Sequence, residues 1–514
     1  MWIRETCRRY LPTVLAVLLP LLLLALLRLH LLCPDGEIDP DAFYHASLAE
    51  QGPRVFLARE FPAASMSIWS RQFSDKELSF HFLLWGIFRV RSFLGLSNAC
   101  PFHFPVLFCC AGLLLALALL FRQWRVPLPW VPALLLVSVY YAFTLRMLFL
   151  RAYLVAMTLL ILTVLLLSIS TWRQPWQRLW LLLALGAVYS WSYSNPHFIL
   201  IPVCAFAVAE AIAAGRWRPL WLLPGCAAAG VLLGLVLHPQ FPNTLVITKI
   251  QCWDVLLMFL GWGEAGEFRG GSEFYLSTWS TLRQAPLLLG LPLLLVLLYY
   301  WSGGGLFRSG WRQRRIGNAV LLLAVGTGLG FLWLFRFAEF ALISLAMLLA
   351  LAVRNACRQS MSARRRWLLH AVLLLYTAAA VLTVGLPLRS LQGKNHRPYT
   401  GVAEWVRAHQ IPPGSIIANL RWGSFPMLYY ALPEYRFLNG LDPMFAYAAD
   451  PVKAQFVEDT LRQRIIPTPA ELRSHTGARL VHISSDNVEL ARSFWRAGYP
   501  RLYEGWDGWL FACE

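Results

Sequence analysis

The sequence predicts a polytopic α-helical membrane protein of about eleven transmembrane helices, closed by a small extracytoplasmic α/β domain. Three observations predict it. Apolar runs long enough to cross about 30 Å of hydrocarbon as helices recur through a 514-residue chain that is 58% hydrophobic and only 14% charged. The net charge of +18 sits almost entirely on arginines in short loops between those runs, which is the pattern of topology signals and argues against a nucleic-acid surface. From about Lys394 onward, charge and proline rise and short β-branched runs alternate with helical patterns.

The runs fall at about 11–32, 102–121, 127–145, 152–171, 179–195, 197–214, 219–237, 284–301, 316–335, 337–353 and 367–388. The first follows Arg4, Arg8 and Arg9 but is too long for a signal peptide and lacks a small-residue cleavage site, so it reads as a retained span. A mixed stretch, Leu78 to Leu94, carries His81, Arg89 and Arg91. Were it a span, the arginine loops at 122–125, 171–178, 215–219, 307–315 and 354–366 would all lie outside; as an interfacial helix it keeps them cytoplasmic with the N-terminus. Val246 to Gly263, with Lys249 and Asp254, reads as a second interfacial helix. The domains are then 1–393, containing a first outer loop at 33–101, and an extracytoplasmic 394–514. Within the latter, Ser415–Leu420 and Arg479–Ser484 read as strands. Gly401–His409 reads as a helix with Val402, Trp405 and Val406 on one face, closed by the turn Pro412-Pro413-Gly414-Ser415. The ten cysteines show no C-x-x-C spacing, so neither a zinc site nor a disulfide framework is implied by them.

This topology gathers the unusual polar residues on the outer side. They are Asp39, Asp41 and His45 in the first loop, Arg146 and Arg151 in the second, Asn195 and His197 in the third, Glu264, Glu267 and Glu273 in the fourth, and Arg336 with Glu339 in the fifth. Singly each has an ordinary reading: Arg336 and Glu339 as a helix-end pair, Asn195-Pro196 as a turn and helix start. Together they imply a site, because ionisable groups at the ends of spans are costly unless paired, hydrated or used. Pro40 restricts the backbone between Asp39 and Asp41, so an extended segment would point both carboxylates to one side. Such a pair suits a divalent cation such as Mg or Mn, or a general base acting on a hydroxyl. Arginines near the membrane surface suit a phosphate.

Asp39-Pro-Asp-Ala-Phe-Tyr44-His45 resembles the Asp-Pro-x-x-x-Tyr-Arg signature that follows the first span of oligosaccharyltransferase catalytic subunits, polytopic glycosyltransferases of the GT-C fold that use polyprenyl-phosphate-linked sugars. The resemblance implies a catalytic role for Asp39, contacting metal and acceptor, with Asp41 as helper and Tyr44 and His45 beside the substrate. It implies a functional glutamate in the late outer loop, among Glu264, Glu267 and Glu273, and a basic residue near the lipid phosphate, matched by Arg336. Two departures stand out. Leu145-Arg-Met-Leu-Phe-Leu-Arg-Ala-Tyr153 supplies arginines where a second acidic motif is expected, against metal dependence. Asn419-Leu-Arg421-Trp422-Gly423-Ser stands where the sequon-reading Trp-Trp-Asp is expected, against sequon glycosylation.

The expected function is transfer of a sugar or glycan from a polyprenyl-phosphate or diphosphate donor to an acceptor protein, lipid or glycan on the extracytoplasmic face. Low lysine with abundant arginine, leucine and alanine points to a bacterial inner membrane. A lipid-linked glycan flippase would call for ionisable groups at mid-membrane depth and repeat symmetry, neither of which the sequence displays. A noncatalytic scaffold for envelope assembly is the remaining rival.

Overall fold

The computed structural model describes residues 2–32, 36–95, 102–169, 174–259, 285–301, 311–334, 337–359 and 362–513. They form two compact units, the first made of Met1–Leu32, His103–Gly234 and Ser272–Lys394 and the second of Cys33–Phe102, Leu235–Gly271 and Asn395–Glu514.

The first unit is helical. Seven described helices are long and apolar enough to cross a membrane, namely Tyr10–Leu31, His103–Gln123, Pro196–Ala214, Arg218–Val236, Arg314–Trp333, Ala338–Arg358 and Ala363–Leu391. An eighth candidate is a bent pair, Trp130–Ser138 and Tyr141–Met147, turned by 97°. Three other apolar runs make helices of only 16 residues, Tyr153–Ser168, Pro175–Ser190 and Pro286–Trp301. Helices of that length fall short of the roughly 20 residues of a full span. Length and composition alone mark seven spans among the described residues, eight with the bent pair, and the three shorter helices stand at the other expected runs. At the bend the Thr144 hydroxyl donates to the Val137 carbonyl (2.8 Å), an acceptor left by the helix where it breaks.

Small residues let two of these helices approach closely. A Cβ at Gly230 would overlap the Leu183 backbone, and one at Gly234 the Ala187 backbone, so Gly230-x-x-x-Gly234 forms the contact face of Arg218–Val236 against Pro175–Ser190. Charge also joins helices. Glu210 accepts two hydrogen bonds from Arg178 (3.1 and 2.9 Å) and one from Arg315 (3.2 Å), while Arg315 also donates to the Leu167 carbonyl (3.1 Å). One carboxylate in an apolar stretch therefore ties down three helices.

The second unit contains a five-stranded sheet: β1 (Ile416–Asn419), β2 (Arg436–Phe437), β3 (Leu480–Ile483), β4 (Arg501–Gly505) and β5 (Gly508–Ala512). Their order is β2-β1-β3-β5-β4, with β1 parallel to both β2 and β3 and with β5 antiparallel to β3 and β4. Both expected strands are present. Ala418, Val481, Ile483 and Phe511 from the sheet pack against Val457, Leu472, Leu490 and Phe494 from the helices. The expected helix runs Thr400–Ala408, burying Val402 and Val406.

Segments of the first loop complete this sheet. Glu37 and His396 exchange backbone hydrogen bonds of 2.9 and 2.8 Å. Gly36 lies so close to Asn395 that a Cβ there would overlap its side chain. Further along, Phe437 of β2 donates to Ala63 (2.7 Å) while Ser65 and Met66 donate to Phe437 (2.7 Å) and Leu438 (3.0 Å). The helix Leu78–Phe93 belongs to this unit and is not among the span candidates. Of the second expected interfacial stretch, the described part reads Asn243–Lys249, a π-helical turn Ile250–Asp254, and Val255–Phe259. The π turn brings residues five apart together, and Lys249 pairs with Asp254 at 2.8 Å.

Two outcomes follow. Glu210→Gln leaves Arg178 and Arg315 without their shared counter-charge and lowers stability by about 3 kcal/mol, read as a fall in the thermal midpoint of the detergent-solubilised chain. His482 is buried on β3, and desolvation pulls its pKa down to about 4. Its neutral form is the folded form, so stability is complete above the ordinary value near 6.5 and is lost as pH falls toward 4. Acid melting curves should show about 3 kcal/mol of loss by pH 4, with His482→Gln removing that component.

Candidate functional site

In the second unit the site residues follow one another along one segment. Asp39 is buried, and Pro40 adopts helical angles (φ −60, ψ −32) so that a helix, Asp41–Gln51, starts at Asp41. Proline favours this position because its fixed φ suits a first turn. The expected extended arrangement is therefore replaced by a helix start. Asp39 accepts from the Asp41 N–H at 3.4 Å through Oδ1 and from Ala42 N–H at 3.2 Å through its carbonyl. A helix N-terminus favours negative charge. The two carboxylates thus differ in setting: Asp39 is enclosed, whereas Asp41 is half-buried on the first turn.

Asp39 is linked to the carboxyl edge of the sheet through His396, on which Asp39, Arg421 and Asp486 all act. Strand β1 lies between β2 and β3, so the chain leaves it in one direction and returns on the other side, which makes the ends of β1 and β3 a switch point where open α/β sheets bind ligands. Arg421, just past β1, pairs with Asp486, just past β3. His396 feels both, together with Asp39. Its pKa is lowered, chiefly by burial, with Asp39 opposing the shift and Arg421 adding to it. A neutral imidazole beside the Asp39 carboxylate is the result. Sequence reasoning did not find His396, since no motif marks it; only the strand-like pairing with Glu37 brings it there.

Tyr44 and His45 are buried on the same helix. Tyr44 stacks on Trp69 (centroids 6.1 Å, 23°), and burial, followed by Asp75 and Glu77, raises its pKa well above the usual phenol range. His45 Nδ1 lies 2.9 Å from Nε2 of His81, a residue the sequence presented only as an interruption of an apolar stretch.

In the first unit, Arg146 and Glu339 come together: Arg146 Nε donates to Glu339 Oε1 at 2.6 Å, and its guanidinium lies 4.7 Å from the Tyr153 ring centroid. Glu339 is fully buried. The partner expected for it three residues away, Arg336, lies outside the described residues, as do Glu264, Glu267 and Glu273. The turn after Arg146 is pinned by Arg28, buried and donating to His103 Nδ1 (2.9 Å) and to the Leu148 carbonyl, and by Cys110 Sγ donating to Met147 O (3.0 Å). Arg151 follows, half-buried. Asn195 is buried immediately before the short 3-10 turn Pro196–Ile199, while His197 is exposed and edge-on to Phe198 (4.7 Å). Arg28 escaped the sequence reading because a lone arginine near a span end looks like a topology signal.

Among the described residues, the grouping of three potential metal-ligating side chains is His45, Glu77 and His81, and Asp39 is not part of it.

No known family profile matches the sequence, and no curated protein does. Solved structures do match in fold. The oligosaccharyltransferase of Archaeoglobus fulgidus tethered to an acceptor peptide containing the NVT sequon aligns with a TM-score of 0.56 at 14% identity, covering 99% of this chain and 75% of that one. ArnT of Cupriavidus metallidurans bound to undecaprenyl phosphate aligns with a TM-score of 0.56 at 14% identity, covering 98% of each chain. Its apo form aligns at 0.52. Both neighbours are GT-C glycosyltransferases, and the GT-C-like fold expected from the sequence is the fold of this chain.

A double-mutant cycle tests the Arg146–Glu339 pair. Arg146→Ala and Glu339→Ala should each destabilise by about 3 kcal/mol, because each leaves the other charge uncompensated, and the double variant should lose much less than the sum. Additive losses in thermal unfolding would show the pair to be energetically idle.

Proposed function

We propose that this chain is a multi-pass glycosyltransferase that moves a sugar or glycan from a polyprenyl-phosphate or diphosphate donor to an acceptor hydroxyl of a protein, lipid or glycan. The reaction takes place on the extracytoplasmic face of a bacterial inner membrane, with a cytoplasmic N-terminus. The observation that carries the reading is the enclosed Asp39 carboxylate at a helix start, linked through His396 to the carboxyl edge of the terminal sheet in a chain whose fold matches lipid-linked sugar transferases along nearly its whole length. The ArnT neighbour holds undecaprenyl phosphate, a ligand of the proposed donor class.

In this scheme the acceptor is held at the ends of β1 and β3 and Asp39 takes its hydroxyl proton. The acceptor oxygen then bonds to the anomeric carbon as the bond from that carbon to the phosphate oxygen breaks, releasing the polyprenyl phosphate. Asp41, Tyr44 and Asn195 with His197 are proposed as lining groups. Arg151 and Arg336 are proposed to stabilise the negative charge that builds on the leaving phosphate, with Arg146 seated by Glu339. Glu264 and Glu267 are proposed to contact the sugar. The proton is assigned to Asp39, alone or beside a divalent ion such as Mg or Mn that its carboxylate would help to hold.

The test is incorporation of labelled sugar from a polyprenyl-phosphate donor by membranes holding the chain. Asp39→Asn keeps the shape, removes the base and should lower transfer by about 100-fold or more. Transfer at the wild-type rate would refute the assignment.

A further inference from the structure

Four side chains from the first loop form a buried chain of contacts that the transfer scheme does not use. Asp75 Oδ2 lies 2.7 Å from His81 Nδ1, His81 Nε2 lies 2.9 Å from His45 Nδ1, and His45 Nε2 lies 3.8 Å from Glu77 Oε2. His45, His81 and Asp75 are all at most 3% exposed. His45 comes from the helix Asp41–Gln51, and His81 from Leu78–Phe93, with Glu77 at that helix's cap.

From this cluster we infer a binding site for a borderline divalent ion of the zinc type, with His45, His81 and Glu77 as ligands and Asp75 as the group that orients His81. The carboxylate of Asp75 accepts a hydrogen bond from the Nδ1–H of His81, which fixes the tautomer and leaves the Nε2 lone pair directed away from Asp75, toward His45. That carboxylate–histidine arrangement recurs behind zinc-binding imidazoles. Asp75 is itself held: its N–H donates to Gln240 Oε1 (2.7 Å), its Oδ1 accepts from Glu77 N–H (3.0 Å), and its carbonyl meets His238 Nε2 (3.2 Å). One donor atom from each of His45, Glu77 and His81 can be chosen such that all lie within 4.8 Å of one another.

The spacing suits the ion. Two nitrogens each about 2.0–2.1 Å from one zinc stand about 2.9 Å apart at a right angle and about 3.3 Å apart at the tetrahedral angle. The observed 2.9 Å therefore needs an opening of a few tenths of an ångström. Glu77 then closes from the third side, and a fourth position remains for water. Two imidazoles with one carboxylate select zinc, cobalt or nickel over magnesium, calcium or manganese, which prefer oxygen sets. The ion would also balance the formal charge of two carboxylates in a largely buried pocket, where uncompensated charge is expensive. Bound there, it cross-links the helix that begins at Asp41 to the helix that begins at Leu78. The site stands independently of the transferase reading.

The experiment is metal analysis of the purified, tag-free full-length chain, together with cobalt titration of the metal-stripped chain. We expect about one zinc per chain, visible cobalt bands of tetrahedral type, and loss of both in His45→Asn and His81→Asn. Asp75→Asn should weaken the site by about 10–100-fold. A chain that carries no zinc and develops no cobalt bands would overturn the site and leave the His45–His81 contact as a hydrogen bond. Metal retained undiminished in folded His45→Asn would overturn it equally. Should the histidine variants fail to fold, the cobalt spectrum of the wild type and of Glu77→Gln still decides the matter.

Discussion

The exchange of backbone hydrogen bonds between Glu37 and His396 is the constraint from which the second unit is organised. It joins a segment next to the first span to the start of the terminal domain. Gly36 is needed there because nothing larger fits against Asn395. Once these backbones are paired, Asp39 stands next to His396 by chain geometry alone, and His396 links it to the switch point between β1 and β3. The carboxylate is thus aimed by the terminal sheet, and the helix Asp41–Gln51 adds its N-terminal partial charge behind it.

A second theme is how charge survives in so apolar a chain. Glu339 is fully buried and meets Arg146; Glu210 sits within an otherwise apolar helix and meets Arg178 and Arg315. Pairs of this kind seldom add stability over an apolar core of the same shape, but losing one partner is severe. Their usefulness lies in specificity: a helix in an apolar surrounding can slide or rotate with little penalty, whereas a guanidinium fork meets its carboxylate in few arrangements.

The sequence was legible where a signal is local. Spanning helices, the strands at 416–419 and 480–483 and the helix at 400–408 could be read from hydrophobic period and spacing, while Asp39 to His45 carried a resemblance to a known signature. The break within a span could not, because a run of apolar residues does not record where the chain leaves the helix, as at the bend after Ser138. Partnerships were the other gap. Glu339 meets Arg146 from a distant helix, a partnership that no spacing in the sequence marks. His81 and Glu77 gave no motif because their partner, His45, lies more than thirty residues earlier, and spacing that long carries no periodicity.

The segment Ala63–Met66 along β2 has a consequence for how the chain is made. An open strand edge offers unpaired amides to any other extended chain, and β2, only two residues long, is covered on its outer side by this stretch. The far edge, β4, carries Arg501 and Glu504 instead, charges that discourage pairing. Ser65 and Phe437 are 372 residues apart, so the guard strand is synthesised long before the edge it protects. It must wait, and closing so distant a contact is slow. Until then the newborn sheet is exposed on the β2 side, where self-association competes with docking.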